Sequence, residues 1–453
     1  MSTPPLASGP QGPDALRPLL DTVLHALAEG AAARGGPLPA GGPEHVARRL
    51  RAAVGDLLPQ HGTDDALHTL VRALAEGAAD PADPLCAAHL HCPPLAVATA
   101  ADLAASALNP SLDSWDQAPA ASELEALLTR TLAHEIYGTQ GDALITTGGT
   151  ESNQLALLLA RETHPGTRLV CGANAHHSLH RATWLLGLPE PVVVPAPAGT
   201  LDPAALDSAL TDLRGPLLVA ATAGTTDAGL IDPLPDIAEI CATHGARLHI
   251  DAAYGGGLLF SDRHRTELDG LAHADTVTLD LHKLGWQPAA AGLLAVRDPT
   301  DLTPLEHRAD YLNADDDTEA GLPDLLGRSL RTTRRPDILK IAVTLKTLGR
   351  HGIGDLVDQV CAHAHDLADL IAAHPAFELY DRPVISTVLF RPAGATDDTV
   401  AAVRRTLLEE GRAVLGRATL DGRRWLKATL LNPHTRPGDL ATLLKLVEGH
   451  TPR

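Results

Sequence analysis

The chain has 453 residues, 44% of them hydrophobic but only 2% aromatic, with a formal net charge of −20. That length suits two or three domains, with cores filled by Leu, Ala and Val rather than by rings. The acidic balance argues against nucleic acid and anionic membrane as partners and mildly favours a cationic small molecule, although solubility is its main consequence.

Residues 1–15 are rich in Pro, Gly and Ser and are expected to be disordered. Residues 16–84 read as an N-terminal helical segment, with apolar positions at helical spacing such as Leu19, Val23, Leu24 and Leu27, closed by a Pro-rich joint. A large domain is expected over 85–340 and a small α+β domain over 341–453. Within the large domain a helix is predicted over 97–108. From 142 onward short apolar runs alternate with helical patterns. The predicted strands are 143–146, 168–171, 191–194, 217–222, 247–251, 276–279 and 292–296. This is the pattern of an α/β fold with a mainly parallel seven-stranded sheet and helices on both faces. The polar stretch 300–330, with the acidic run Asp315-Asp316-Asp317, reads as a long loop and a candidate lid. A long helix is predicted from about 337 to 348, then strands at 387–390 and 425–431.

Five cysteines (Cys86, Cys92, Cys171, Cys241 and Cys361) include no CxxC pair, which suits a reducing compartment. No signal-like run opens the chain, and the apolar stretch 95–108 is too short to span a bilayer. A cytoplasmic location is expected.

The chemistry is concentrated at three strand ends, where ligands bind in sheets of this kind. Lys283 follows the run Thr276-Val277-Thr278-Leu279, Asp251 ends another run, and the loop Thr146 to Asn153 opens a helix. A lone lysine is usually a solvated charge, a lone aspartate usually a helix cap, and a Gly-Gly-Thr turn usually a plain helix start. Together they are the parts of a pyridoxal phosphate site. Lys283 would bond the cofactor as a Schiff base, and Asp251 would keep the pyridine nitrogen protonated. The backbone around Gly148, Gly149 and Thr150 would grip the phosphate. Ala253 is small enough for the ring to lie close to the backbone, and His282 would bind phosphate or brace its turn. His176 follows a strand and a short loop; a lone histidine is more often structural, but in a pyridoxal phosphate site an imidazole can stack on the ring and meet the substrate carboxylate. The histidine pairs 89/91, 177/180 and 363/365 lack the usual ligand spacing, so no metal is expected.

These residues sit in a longer series of motifs. The series runs through His89-Leu90-His91-Cys92-Pro93, Leu112 to Gln117, Gly148 to Asn153 and His249 to Gly256. It continues with His282-Lys283, Gln287-Pro288, Ala309 to Asn313 and Thr332-Thr333-Arg334-Arg335. In that order the chain resembles the group II pyridoxal phosphate-dependent amino-acid decarboxylases of fold type I. It is most similar to the bacterial diaminobutyrate and siderophore-pathway lysine decarboxylase branch. The resemblance implies a homodimer with its active site at the interface. It implies catalytic roles for Lys283, His176 and Asp251. It adds Asp280 and His282 to the phosphate site, puts Thr226 near the ring hydroxyl or Asp251, and puts His91, Cys92 and Tyr311 in the substrate pocket. The implied reaction is decarboxylation of an L-amino acid, with a dibasic side chain first in line and aromatic or acidic ones as alternatives. Members acting on aromatic amino acids carry a loop tyrosine that protonates the substrate carbon. Here 312–330 contains no tyrosine, and Pro336 stands where an aromatic residue is the family habit. His176, water or Tyr311 would take that part. Oxidative deamination to an aldehyde, or transamination, is the rival outcome of such a loss. A non-catalytic pyridoxal-binding protein is the rival outside enzymology.

Overall fold

The structure is a computed structural model that describes residues 4–307, 309 and 312–452. Tyr311, expected in the substrate pocket, lies outside the described residues. The chain divides into two compact units. One is Pro94–Cys361 with Pro383–Ile385. The other is Met1–Pro93 with Ala362–Arg382 and Ser386–Arg453.

The first unit is built on a seven-stranded sheet. Its spatial order is Asp142–Thr146, Gly292–Val296, Thr276–Asp280, Arg247–Ala252, Leu217–Thr222, Arg168–Gly172 and Val192–Val194. Gly292–Val296 runs antiparallel to both neighbours, and the other neighbouring pairs are parallel. The central strands are apolar runs because both faces are covered; all six residues of Leu217–Thr222 are buried. The helix Gly149–Thr163 shows how the covering is made. Leu155, Ala156 and Leu159 pack on Leu144 and Leu294, while Leu157 and Ala160 pack on Leu169, Cys171 and Leu218.

All seven predicted strands are present, each within two residues of the expected ends. The stretch 300–330 differs from the single loop expected, because it contains helical turns at Pro299–Leu305, Asp315–Glu319 and Leu326–Arg328. The three aspartates form the first turn of the second of these, where the helix dipole favours negative charge.

In the second unit the N-terminal part forms three helices, Gly12–Arg34, Gly42–Val54 and Ala66–Gly77. The first begins inside the stretch expected to be disordered. A five-stranded sheet follows in the order Cys86–Ala87, Val414–Leu420, Arg423–Thr429, Thr387–Pro392 and Phe377–Leu379. Val388, Phe390, Leu426 and Ala428 pack there against Val400, Leu407, Leu440 and Val447 from the helices Asp397–Glu409 and Pro437–Gly449. The predicted helix at 337–348 belongs to the first unit and is the start of a longer run, Ile338–Ala372, which is broken at Gly349 where φ is 65° and whose residues after Cys361 belong to the second unit.

Candidate active site

Strand register places the chemistry. Asp251 pairs with Thr222 on one side and Thr278 on the other; Asp280 and Thr146 each pair with Gly292. The turns after Thr146, Ala252 and Asp280 therefore leave one edge of the sheet together. This is the crevice where α/β sheets bind ligands.

The glycine loop forms the floor. Gly148 has φ 146° and ψ −178°, a backbone state that essentially only glycine adopts. A Cβ there would come within 2.9 Å of His282 Cε1. At Gly149, the first helical residue, a Cβ would lie 3.0 Å from Ala253 Cβ and 3.3 Å from Asp280 Oδ2. Loop, Ala253, Asp280 and His282 thus wall one narrow space. The first backbone N–H groups of a helix have no intrahelical partner, so Gly149, Thr150 and their neighbours offer donors to an anion. Thr150 itself is exposed.

Lys283 Nζ donates to Asp280 Oδ2 at 3.0 Å, and His282 Nε2 lies 3.6 Å from the same oxygen. Asp280 is almost wholly buried, and its Oδ1 has no hydrogen-bond partner among the described residues. His282 is held in its turn by Ala291, whose backbone N lies 3.3 Å and carbonyl oxygen 3.2 Å from Nδ1. Burial lowers the His282 pKa, and the neighbouring Asp280 opposes that.

Asp251 is buried, and its two oxygens accept from the backbone N–H of Ala253 at 3.1 Å and from Asn153 Nδ2 at 2.7 Å. Asn153 also donates to Ser178 Oγ at 2.9 Å, and its Oδ1 takes Thr278 Oγ1 at 3.0 Å and His249 Nε2 at 2.9 Å. Ser178 Oγ stands 2.8 Å from Nδ1 of the half-buried His176. Burial pushes His176 below its ordinary pKa and takes the enclosed His249 down to about 4.

The structure thus brings together Gly148, Gly149, Asp280, His282, Lys283, Ala253, Asp251 and His176, directly or through one or two side chains. Thr226 is exposed in the loop after Leu217–Thr222. His91 is exposed and Cys92 buried, and both belong to the other unit. Of the later motifs, Arg334 forms a two-pronged buried pair with Glu125 at 2.8 and 2.9 Å, and Arg335 pairs with Asp102 at 2.9 Å. Sequence reasoning did not single out Asn153, Ser178 or His249 as functional residues. His249 precedes Asp251 by two, which puts both on one sheet face. Asn153 is buried in the polar first turns of its helix, ahead of the apolar buried residues Leu155, Ala156, Leu157, Leu159 and Ala160. Among the described residues one group, His25, Glu29 and His68, brings three metal-ligand atoms within 4.8 Å of one another. Arg72 Nε lies 3.5 Å from Glu29 there, so a fixed cation already shares that carboxylate.

These residues fit pyridoxal phosphate. An amine stands at the rim, a buried carboxylate lies deeper on the same edge, and a glycine cradle that any Cβ would fill opens at a helix N-terminus.

Comparison with known proteins agrees. The signature described as the pyridoxal-dependent decarboxylase conserved domain matches residues 50–393. An L-2,4-diaminobutyrate decarboxylase of Rhizobium meliloti (strain 1021) is 41% identical over 429 residues, 89% of this chain and 86% of the relative. A second L-2,4-diaminobutyrate decarboxylase, from Acinetobacter baumannii, is 32% identical over 399 residues, 80% of this chain and 78% of the relative. Among solved structures, a glutamate decarboxylase domain of diaminobutyrate-pyruvate transaminase and L-2,4-diaminobutyrate decarboxylase from Vibrio parahaemolyticus superposes with a TM-score of 0.87. It is 30% identical and covers 98% of this chain and 97% of that one.

Proposed function

The chain belongs to the pyridoxal-dependent decarboxylase family, and we propose that its substrate is a small L-amino acid with a second ammonium group, L-2,4-diaminobutyrate first, with ornithine and lysine as longer homologues. The cofactor is pyridoxal phosphate and the reaction class is that of an amino-acid carboxy-lyase. The 41% likeness to a diaminobutyrate decarboxylase over nearly the whole chain is the observation that carries the substrate.

Bound pyridoxal phosphate supplies an electron sink for the pair left behind when the carboxylate departs as CO2. Lys283 is the amine that would hold it covalently, with Asp280 holding Lys283 in place. Asp251 would hold a proton on the ring nitrogen, and its own position is fixed by Asn153 and the Ala253 backbone. The first turn of the helix Gly149–Thr163, with His282, would bind the phosphate. His176 would stack on the ring and orient the leaving carboxylate. The substrate loses CO2 and takes one proton at Cα, so the amine keeps both of its nitrogens.

The enzyme works as a homodimer in the cytoplasm, with the N-terminal helices forming its dimerisation segment. Leu24 on Gly12–Arg34 and Leu74 on Ala66–Gly77 are 64% and 67% exposed, which supports a covered surface there. No helix among the described residues is long and apolar enough to cross a membrane. Light scattering that gives the mass of one chain would overturn the dimer.

The substrate assignment is tested by kcat/KM on diaminobutyrate, ornithine, lysine, glutamate and an aromatic amino acid. The highest value is expected on a dibasic member. A higher value on glutamate or the aromatic one would discard the substrate and keep the reaction.

A further inference from the structure

One buried asparagine connects the candidate carboxylate to the candidate stacking histidine. Asn153 is fully buried, and its amide makes four contacts: Nδ2 to Asp251 and Ser178, Oδ1 to Thr278 and His249. An ionised carboxylate only accepts, so the NH2 of Asn153 must face Asp251. The flipped amide would set two oxygens against each other at 2.7 Å. That orientation dictates the rest. Both N–H bonds of Asn153 are engaged, so Ser178 Oγ accepts one of them and its own proton is directed to His176 Nδ1. The backbone N–H of Ser178 points at the same Nδ1, at 3.3 Å, and can only donate. Nδ1 of His176 is therefore an acceptor, and the neutral ring carries its proton on Nε2. On the other side His249 donates from Nε2 to Asn153, and its Nδ1 accepts from Thr276 Oγ1 at 2.8 Å.

We propose that Asn153 is a positioning residue: held amide-first by the acceptor-only Asp251, it makes Ser178 direct its proton to His176 Nδ1 and so holds that imidazole neutral in its Nε2–H form. The inference rests on the assignment of Asp251 and His176 to the decarboxylation site. Its chemical sense follows from the reaction. Decarboxylation converts an anion into neutral CO2, so a full positive charge beside the carboxylate would stabilise the ground state more than the transition state. A neutral N–H orients the carboxylate without that penalty. A neutral imidazole is also a poor acid. The proton for Cα therefore comes from another group, which removes His176 from the three candidates left open by the missing loop tyrosine. The titratable groups around His176 are Asp251, His177, Lys283 and Asp280. Burial is the strongest influence on its pKa and acts downward, as the two hydrogen bonds donated to Nδ1 do; the charges of Asp251 and Asp280 act upward and are outweighed.

The test is long-range proton–nitrogen NMR on the cofactor-free protein labelled with 15N-histidine, with the His176 signals identified by their loss in His176→Gln. The wild type is expected to show a neutral ring with the proton on Nε2 at neutral pH. In Asn153→Ala the protonation midpoint of His176 should rise by about one pH unit, the equivalent of one hydrogen bond. Ser178→Ala should move it the same way, and it serves if Asn153→Ala does not fold. In the loaded enzyme, the acid limb of kcat/KM should rise with the NMR midpoint. A wild-type ring that is cationic or protonated on Nδ1 at neutral pH would overturn the proposal, and so would a midpoint unchanged in the variants. Failure of the proposed function looks different: the NMR result would stand, but no amino acid would release CO2.

Discussion

Lys283 Nζ lies 3.0 Å from Asp280 Oδ2, three residues back along the chain, where the strand Thr276–Asp280 ends. The backbone N–H of Lys283 also reaches the Asp280 carbonyl at 3.3 Å. The lysine is thus anchored twice at the sheet edge that carries Asp251 and the glycine loop. Removing its amine while keeping the turn is the simplest test of its role. Lys283→Ala should lose the visible absorption of the lysine–cofactor bond and lower turnover by roughly 10³-fold or more. Near-normal turnover would refute the assignment.

Gly149 tests the phosphate cradle without backbone strain, because it is the first residue of a helix. In Gly149→Ala the new Cβ would stand 3.0 Å from Ala253 Cβ and 3.3 Å from Asp280 Oδ2. Cofactor affinity should fall about tenfold or more, equivalent to ~1.4 kcal/mol. Circular dichroism should remain that of the wild type. Unchanged affinity in fluorescence titration with pyridoxal phosphate would place the cofactor elsewhere.

The pair Glu125–Arg334 is almost wholly buried and doubly bonded at 2.8 and 2.9 Å. The Arg334 carbonyl also takes the backbone N–H of Leu112 at 2.8 Å. Glu125→Ala leaves a guanidinium without its counter-charge, and stability should drop by about 3–5 kcal/mol. Replacing both residues with apolar ones of similar volume should recover most of that loss. Urea unfolding of the single and double variants reads the difference.

His249 makes stability depend on pH. Its folded pKa is about 4 against an ordinary 6.5, because the ring is enclosed. Between those values the unfolded chain binds more protons than the folded one, so stability rises with pH across that window. The contribution is present above about pH 6.5 and lost as pH falls toward 4, and the full shift corresponds to ~3 kcal/mol. His249→Gln should flatten the urea midpoint across this range. A wild-type midpoint independent of pH there would contradict the buried neutral ring.

The sheet of the larger unit was legible because each strand is a short apolar run bounded by turn residues, as in Leu217–Thr222 and Gly292–Val296. The second sheet was only partly so. Val414–Leu420 alternates exposed and buried residues toward its end and carries Arg417, so no apolar run marks it. Its hairpin turn, Asp421-Gly422 with φ of 51° and 70°, is the Asp-Gly signal that would have found it. In the site, Lys283 and Asp251 were visible as charged residues ending apolar runs. Asn153 and Ser178 were not, because their importance lies in hydrogen bonds between segments 25 residues apart in sequence. His249 carries no local signal beyond its spacing from Asp251.

The most direct measurement is mass spectrometry of the products formed by the cofactor-loaded enzyme from L-2,4-diaminobutyrate, with released CO2 quantified alongside. The expected products are 1,3-diaminopropane and CO2 in equal amounts, with both nitrogens retained. An aldehyde or keto acid, or a product that keeps its carboxylate, would contradict simple decarboxylation by this site.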